Sequence, residues 1–216
     1  MLKGPQINPV SGKPDKIIIF MHGVGSDGEN LLPIADFFVD VFPNGLFIAP
    51  NGPEDFMHSG PGYQWFQLYD NHGQRLHRSQ LISGVEHAAK TVSKYITELL
   101  KQHDLPFKDV ILVGFSQGSM TAIQTAITMP QQVGAVVAFS GGLIKDEFHT
   151  PEIRSKPPIC LIHGEKDDVV PIERSITSAE VFEKFGIPHE LHKIAHLAHS
   201  IDINGINLAK EFLRKL

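Results

Sequence analysis

The sequence is poor in three features: cysteine, clustered basic residues and long apolar runs. Its 216 residues include one cysteine, Cys160, which excludes an intramolecular disulfide and is compatible with a reducing compartment. No stretch approaches the roughly 18 to 20 apolar residues of a membrane-spanning helix, and the first residues lack the apolar core of a secretory signal. We therefore expect a cytoplasmic protein without a transmembrane segment.

Positive charge is scarce as well. The chain has 19 Lys and Arg residues against 24 Asp and Glu residues, a formal net charge of −5, and its basic residues form no run. Proteins that bind nucleic acids concentrate basic side chains on one face to meet the phosphates. The charge distribution therefore predicts no nucleic-acid partner.

What the sequence does contain is an alternation of apolar runs and helical patterns. Five runs are apolar nearly throughout, which is typical of strands covered on both faces of a parallel sheet. They are residues 16–23, 45–52, 109–116, 134–142 and 158–167, with a weaker sixth run at 189–195. Helices are predicted for residues 28–41, 79–103, 117–129, 173–185 and 203–215. The alternation predicts an α/β fold, with a mostly parallel central sheet and helices on both faces.

We expect a single domain over residues 1–216, without a large cap domain and with an irregular segment at residues 1–14. Residues 53–78 fit neither the strand nor the helix pattern, and long irregular stretches in compact domains are usually functional or disordered. Five aromatic side chains in this stretch argue against disorder: Phe56, Tyr63, Trp65, Phe66 and Tyr69. It is predicted to form a wall beside a binding cleft, followed by a helix with Ser79 as its N-cap.

The stretch "DVILVGFSQGSMTAIQTAI" has a glycine on either side of a serine, where a strand must turn into a helix. The pattern Gly-x-Ser-x-Gly in this setting is the signature of a nucleophile elbow, a tight turn that exposes the serine hydroxyl above the sheet. Gly114 and Gly118 are needed because side chains there would collide with the neighbouring strand and helix. Ser116 is therefore the predicted nucleophile.

A serine is a weak nucleophile without a base, so a histidine and an orienting acid are expected further along the chain. The stretch "LIHGEKDDVVP" places Asp167 and Asp168 just after a predicted strand, and either could be the acid. His196 and His199 lie in the loop after the last strand, and His199 is favoured because it stands immediately before the last helix. Four histidines between 189 and 199 also raise the possibility of a metal site. His189 and His192 would point to opposite faces of a strand, however, so we expect no metal.

Two backbone N–H groups are expected to stabilise the oxyanion. One is that of Gln117, directly after the nucleophile, at the start of the following helix. The other is that of Val24, in the glycine-rich turn "HGVGSDG" after the first long strand. A phosphate-binding loop is the rival interpretation of this turn, but the lysine of the GxxxxGK pattern is absent.

Five segments together resemble the phospholipase/carboxylesterase group of α/β-hydrolases, which includes acyl-protein thioesterases and small bacterial carboxylesterases. They are "HGVGSDGEN", "GYQWFQL", "GFSQGS", "HGEKDDVVP" and "AHSI", and the resemblance extends over residues 14–215. It implies a triad of Ser116, Asp167 and His199, oxyanion donors at Val24 and Gln117, and an aromatic pair, Trp65 and Phe66, near the acyl site. This chain reads "AHLAHS" where relatives often have a glycine shortly before the catalytic histidine. The resemblance also implies a homodimer.

The expected activity is hydrolysis of a carboxylic ester or thioester through an acyl-enzyme, without cofactor or metal. The substrate would be a small or lipid-like ester or an acylated protein, as for a carboxylesterase, lysophospholipase or acyl-protein thioesterase. A dienelactone hydrolase or a peptidase would use the same fold and a similar triad, and a non-catalytic binding module could keep the scaffold. These three alternatives stay open at the level of the sequence.

Overall fold

A seven-stranded sheet forms the centre of the protein, as seen in a computed structural model that describes residues 1–56, 61–145 and 152–216. Its strands are β1 (Gln6–Ile7), β2 (Lys16–Met21), β3 (Gly45–Ile48), β6 (Val110–Phe115), β7 (Ala135–Phe139), β8 (Ile159–Gly164) and β9 (His189–Ile194). A separate antiparallel pair is formed by β4 (Glu54–Asp55) and β5 (Tyr63–Gln64). The strand order is β1-β3-β2-β6-β7-β8-β9, and all neighbours are parallel except β1 and β3.

Helices cover both faces of this sheet. They are α1 (Gly28–Leu31), which continues as a 3-10 helix (Leu32–Phe38), α2 (Arg78–His103), a 3-10 turn (Phe107–Asp109), α3 (Gln117–Thr128), α4 (Glu173–Phe185) and α5 (Ile203–Leu213). On β2, Ile17 and Ile19 face the core shared with α2, α3 and α4, whereas Ile18 and Phe20 face the core shared with α1 and α5. Successive strand side chains point to opposite faces, which explains why this strand is apolar at every position. The predicted α/β-hydrolase architecture is confirmed.

All six predicted strands are present. The predictions for the N-terminal segment, the first helix and the start of α2 were wrong. The segment 1–14 is not wholly irregular, because β1 pairs with the edge strand β3. The helix predicted at 28–41 is α-helical only to Leu31, and Pro33, which has no backbone N–H, stands at the start of the 3-10 helix. Ser79 is not the N-cap of α2; His77 is, in a reciprocal capping box with Gln80.

The stretch 53–78 was predicted to contain no strand, and this was wrong for β4 and β5. Residues 57–60 of that stretch lie outside the described part of the chain. Among the described residues, no helix combines the length and the apolar character needed to cross a membrane.

The sheet brings the predicted functional residues to one edge. Parallel strands end on the same side, and open α/β sheets bind ligands at the carboxyl ends of their strands. Val24 follows β2, Ser116 follows β6, Asp167 follows β8, and His199 follows β9. Residues far apart in the sequence therefore meet at this edge.

Candidate active site

Ser116 occupies a strained turn between β6 and α3. Its backbone has φ 53° and ψ −116°, a conformation that L-residues rarely adopt and that surrounding structure must enforce. A Cβ atom added to Gly114 would lie 2.5 Å from the Cα of Ser119 in α3, and one added to Gly118 would overlap the carbonyl oxygen of Met21 at the end of β2. The two glycines therefore let helix and strand approach the turn, as expected for a nucleophile elbow.

Asp167 and His199 form a short hydrogen bond. The Nδ1 atom of His199 is 2.7 Å from Oδ2 of Asp167, whose side chain is completely buried. Because an ionised carboxylate only accepts hydrogen bonds, His199 donates from Nδ1 and leaves Nε2 free to accept a proton. The His199 ring also lies against Phe115, with ring centroids 4.8 Å apart. This contact brings the imidazole next to the turn that carries Ser116.

The carboxylate of Asp167 is held from several directions. Its Oδ1 accepts hydrogen bonds from the backbone N–H groups of Val169 at 3.0 Å and Val170 at 2.8 Å. Burial by itself would raise the pKa of Asp167, but the hydrogen bonds from His199 and these two N–H groups outweigh it and hold that pKa below its ordinary value. The neighbouring Asp168 is exposed. Of the two aspartates that the sequence left open, only Asp167 faces the imidazole.

The loop that carries His199 approaches β8 very closely. A Cβ atom on Gly164 would overlap the carbonyl oxygen of Leu197, and the N–H of Lys166 donates to the same oxygen at 2.9 Å. His196 is exposed and adopts φ 64°, a left-handed conformation that is usually taken by glycine. The loop therefore turns here without a glycine, and it directs His199 rather than His196 toward Asp167.

A second imidazole, that of His163, contacts the same carboxylate. Its Nε2 lies 2.8 Å from the carbonyl oxygen of Val170 and 3.2 Å from Oδ2 of Asp167, both of which only accept. Nε2 is therefore protonated, and Nδ1 lies 2.7 Å from the hydroxyl of Ser175. Burial lowers the pKa of His163, against the opposing effects of the Val170 hydrogen bond and the Asp167 charge. A neutral, fully buried histidine thus supports the acid of the predicted triad.

The turn after β2 lies directly beside the nucleophile. A Cβ atom on Gly23 would stand 3.2 Å from Cδ1 of Phe115 and 3.4 Å from the Cβ of Ser116, so the turn is in contact with the elbow. Gly25 adopts φ 77°, and its N–H donates to the carbonyl oxygen of Tyr63 at 2.9 Å. Val24 and Gln117, the two predicted oxyanion donors, line the same cavity as Ser116.

His22 determines how the peptide unit between Gly23 and Val24 is oriented. Its Nε2 accepts a hydrogen bond from the N–H of Gly52 at 2.9 Å, so its proton must be on Nδ1. Nδ1 lies 2.7 Å from the carbonyl oxygen of Gly23. Because the peptide unit is planar and trans, fixing this carbonyl also fixes the opposite direction of the Val24 N–H. Burial lowers the pKa of His22 and keeps this tautomer neutral.

Trp65 and Phe66 are buried in the protein interior next to the site and do not line its cavity. Both are buried, with 1% and 2% of their surface exposed, and neither is among the described residues that line the cavity. The Gln117 side chain joins them to α3: its Oε1 accepts from the N–H of Trp65 at 2.9 Å, and its Nε2 donates to the carbonyl oxygen of Phe66 at 2.7 Å. The indole N–H of Trp65 donates to the carbonyl oxygen of His22 at 2.8 Å. The pair therefore connects the elbow with the turn that carries Val24.

The cavity beside Ser116 has a volume of about 480 Å³, within the usual range for small-molecule sites. Most of its lining is apolar, and part of it comes from the predicted wall segment: Phe56, Leu68, Tyr69, Arg75 and Leu76. A second cavity of about 530 Å³ lies between the N-terminal residues and α2 and contains none of the predicted catalytic residues. The first cavity is thus the candidate substrate site.

The described residues offer no cysteine nucleophile in an activated form and no set of side chains that could share a metal ion. Burial raises the pKa of Cys160 to about 12, so its thiol stays protonated at neutral pH. In the described ranges no three side chains of His, Cys, Asp or Glu come close enough to share a metal ion. His192 contacts Glu190, whereas His189 packs edge-on against Phe182. The histidines between residues 189 and 199 therefore contact different parts of the protein and do not form one site.

Three groups of supporting residues escaped the sequence analysis. His22 and His163 share a recognisable signal, since each precedes a glycine at the end of a parallel strand: "MHG" and "IHG". The Gln117 side chain was considered only for its backbone N–H. The third group, the arginines that line the cavity, comes from separate elements and has no common motif.

Comparisons with known proteins identify the family of this chain. The profile of the phospholipase/carboxylesterase family matches residues 2–216. The crystal structure of esterase PE8 is 38% identical, has a TM-score of 0.90, and the match covers 99% of this chain and 98% of that one. Acyl-protein thioesterase 1 of Debaryomyces hansenii is 28% identical over 222 residues, covering 94% of this chain and 92% of its own. Esterase YpfH of Escherichia coli is 26% identical over 206 residues, covering 93% and 84%. The chain belongs to the phospholipase/carboxylesterase family of α/β-hydrolases.

Proposed function

We propose that this protein is a serine hydrolase that cleaves carboxylic esters or thioesters through an acyl-enzyme. The observation that carries the proposal is the chain of contacts at one sheet edge: the strained Ser116, the His199 ring against Phe115, and the 2.7 Å hydrogen bond from His199 to Asp167. These are the parts of an activated serine nucleophile. The named relatives, an esterase and acyl-protein thioesterases, support the same class of reaction.

In the proposed mechanism, Nε2 of His199 takes the proton of Ser116 as the hydroxyl oxygen attacks the substrate carbonyl. Asp167 keeps the proton on Nδ1 and stabilises the imidazolium that forms. The N–H groups of Val24 and Gln117 stabilise the oxyanion, with support from the N-terminus of α3. His199 then protonates the leaving alcohol or thiol, and water, deprotonated by the same imidazole, releases the acid.

Trp65 and Phe66 act, in this proposal, as positioning residues. They link Gln117 to the backbone of His22 and so set the distance between the two oxyanion donors. The earlier expectation of direct substrate contact does not follow from their buried positions. The expected homodimer and the cytoplasmic location stay predictions.

The test is hydrolysis of p-nitrophenyl butyrate by wild type, Ser116→Ala and Ser93→Ala. Ser93 is a suitable control because its hydroxyl only bonds the helix backbone of α2, to Ala89 at 2.7 Å. We expect full activity in the control and a loss on the order of 10⁶-fold in kcat for Ser116→Ala. Equal activity in all three proteins would contradict the proposal. A p-nitroanilide, a dienelactone and a butyryl thioester assayed alongside would separate the peptidase and lactonase alternatives from the ester and thioester hydrolase.

A further inference from the structure

In the described part of the chain, the charged residues that line the cavity are all arginines. Arg75 precedes α2, Arg78 is its first residue, and Arg174 is the second residue of α4. None of the described lining residues is acidic. Three positive charges and no negative one among the described lining residues are unexpected in a protein whose formal net charge is −5.

These arginines have no ion-pair partner among the described residues. The ion pairs found in those ranges join other residues, and within the same ranges the charged side chains that act on Arg174 are those of Arg78 and Arg75. Burial, followed by these two like charges, lowers the pKa of Arg174. A guanidinium group that is partly withdrawn from water among like charges is destabilised until an anion compensates it.

The donors of two arginines are only partly used. Nη1 of Arg78 donates to the carbonyl oxygen of Lys145 at 2.8 Å, and Nη1 of Arg174 donates to that of Leu143 at 3.2 Å. Lys145 and Leu143 are two residues apart in the sequence. Their carbonyl oxygens therefore hold the two guanidinium groups beside the same short segment of backbone. Nε of Arg174 is buried and has no hydrogen-bond partner in the part of the chain that the structure describes. A guanidinium group has five N–H donors, and a buried donor without a partner is costly.

Most of the other described residues that line the cavity are apolar. Leu81, Met120 and Ile144 line it together with Ser116. A substrate with its carbonyl at Ser116 would lay a short apolar chain along these residues. Its far end would then meet the arginines, where guanidinium groups recognise carboxylate and phosphate oxygens by charge-assisted and often bidentate hydrogen bonds.

We propose that the substrate is an ester or thioester carrying a second, anionic group, a carboxylate or phosphate, which binds to Arg174, Arg78 and Arg75 while the carbonyl reacts with Ser116. This inference rests on the proposed function, because it uses the same cavity. It selects charged substrates over uncharged esters of the same length. The anion belongs either to the acyl side, as in a half-ester of a dicarboxylic acid, or to the alcohol side, as in an acylated glycerol phosphate.

The kinetic test uses two matched pairs of substrates. Mono-p-nitrophenyl adipate is compared with its neutral methyl ester, and 1-butyryl-glycerol 3-phosphate with 1-butyryl-glycerol. We expect kcat/KM for the anionic member of at least one pair to exceed that of its neutral partner by about 10- to 100-fold, the factor that a charge-assisted hydrogen bond supplies. The pair that shows the preference identifies the source of the anion.

The variants test whether the arginines cause the preference. Arg174→Met and Arg78→Met should reduce the ratio of anionic to neutral kcat/KM about tenfold or more, whereas Arg154→Met, which removes a surface arginine paired with Glu152, should leave the ratio unchanged. If Arg174→Met, at a partly buried position, fails to fold, Arg75→Met, at an exposed position, tests the same ratio of kcat/KM. Sodium chloride at 1 M should also reduce the preference, since it shortens the screening distance to about 3 Å.

A binding measurement separates this inference from the proposed function. Adipate and inorganic phosphate are titrated calorimetrically into wild type, Arg174→Met and Arg154→Met, without any turnover. Binding of either anion that is lost only in Arg174→Met supports the arginine site even if no ester is hydrolysed. Hydrolysis of the neutral esters without preference for the charged ones, together with no anion binding, overturns the inference and leaves the proposed function standing. Absence of both anion binding and hydrolysis overturns both.

Discussion

The two nitrogens of His22 make separate hydrogen bonds, and this permits a sharp test of how the oxyanion site is held. Nδ1 donates to the carbonyl of Gly23 at 2.7 Å, and Nε2 accepts from the N–H of Gly52 at 2.9 Å. An asparagine places its amide near the position of Nδ1, and a glutamine reaches the position of Nε2. His22→Asn should therefore keep the bond to Gly23, and His22→Gln should keep the bond to Gly52.

Both substitutions leave one buried backbone group without a partner, which costs about 1–3 kcal/mol of unfolding free energy in each case. The expected losses of activity differ, because only the Gly23 bond fixes the peptide unit that carries the Val24 N–H. His22→Gln should reduce kcat by at least about tenfold, up to the roughly 10²- to 10³-fold loss of a removed oxyanion donor. His22→Asn should reduce kcat much less.

The assay combines guanidinium chloride unfolding with kcat and KM for p-nitrophenyl butyrate, measured only under conditions where both variants are folded. Similar destabilisation with a selective loss of kcat in His22→Gln would support the positioning role. An equal loss of kcat in the two variants, or no loss in His22→Gln, would refute it. In that case the direction of the Val24 N–H would depend on other contacts.

Further predictions concern the elbow, the acid and the second imidazole. Gly118→Ala should destabilise the fold by about 3 kcal/mol, the upper end of the usual cost of overpacking, because the added methyl overlaps the Met21 carbonyl oxygen; a thermal midpoint within a few degrees of wild type would contradict the close approach. Asp167→Asn should lower kcat by about 10⁴-fold with little change in KM, and an unchanged kcat would exclude Asp167 as the acid. Since the folded state holds the pKa of His163 below 6.5, its contribution to stability is present above pH 6.5 and is lost as the pH falls below it. The slope is at most about 1.4 kcal/mol per pH unit. His163→Gln should reduce that slope in pH-dependent unfolding, and an unaltered slope would show that His163 does not titrate differently on folding.

Local patterns were sufficient wherever a single short segment determines the structure. The elbow at Ser116 could be predicted because a strand, two glycines and a helix are consecutive in the sequence. The central strands could be predicted because burial on both faces makes them apolar throughout, as in β2. Asp167 and His199 needed the family resemblance, since the sequence alone left a neighbouring aspartate and histidine as alternatives.

Features that depend on contacts between distant segments could not be predicted. Trp65 was expected near the substrate, but it is buried because the Gln117 side chain and the His22 carbonyl bind its backbone and indole N–H groups. The arginines at the starts of α2 and α4 come together only in the folded cavity. Helix starts were uncertain for a different reason: His77 and Ser79 both lie near the first turn, and the reciprocal bond with Gln80 favours His77.

Identification of the acylated residue would show directly whether Ser116 is the nucleophile. The protein is mixed with p-nitrophenyl butyrate, quenched in acid within the first turnovers and digested, and the peptides are analysed by mass spectrometry. We expect a butyryl group on Ser116, absent in Ser116→Ala, and none on the neighbouring buried Ser119. A butyryl group on another side chain, with undiminished turnover in Ser116→Ala, would contradict this expectation.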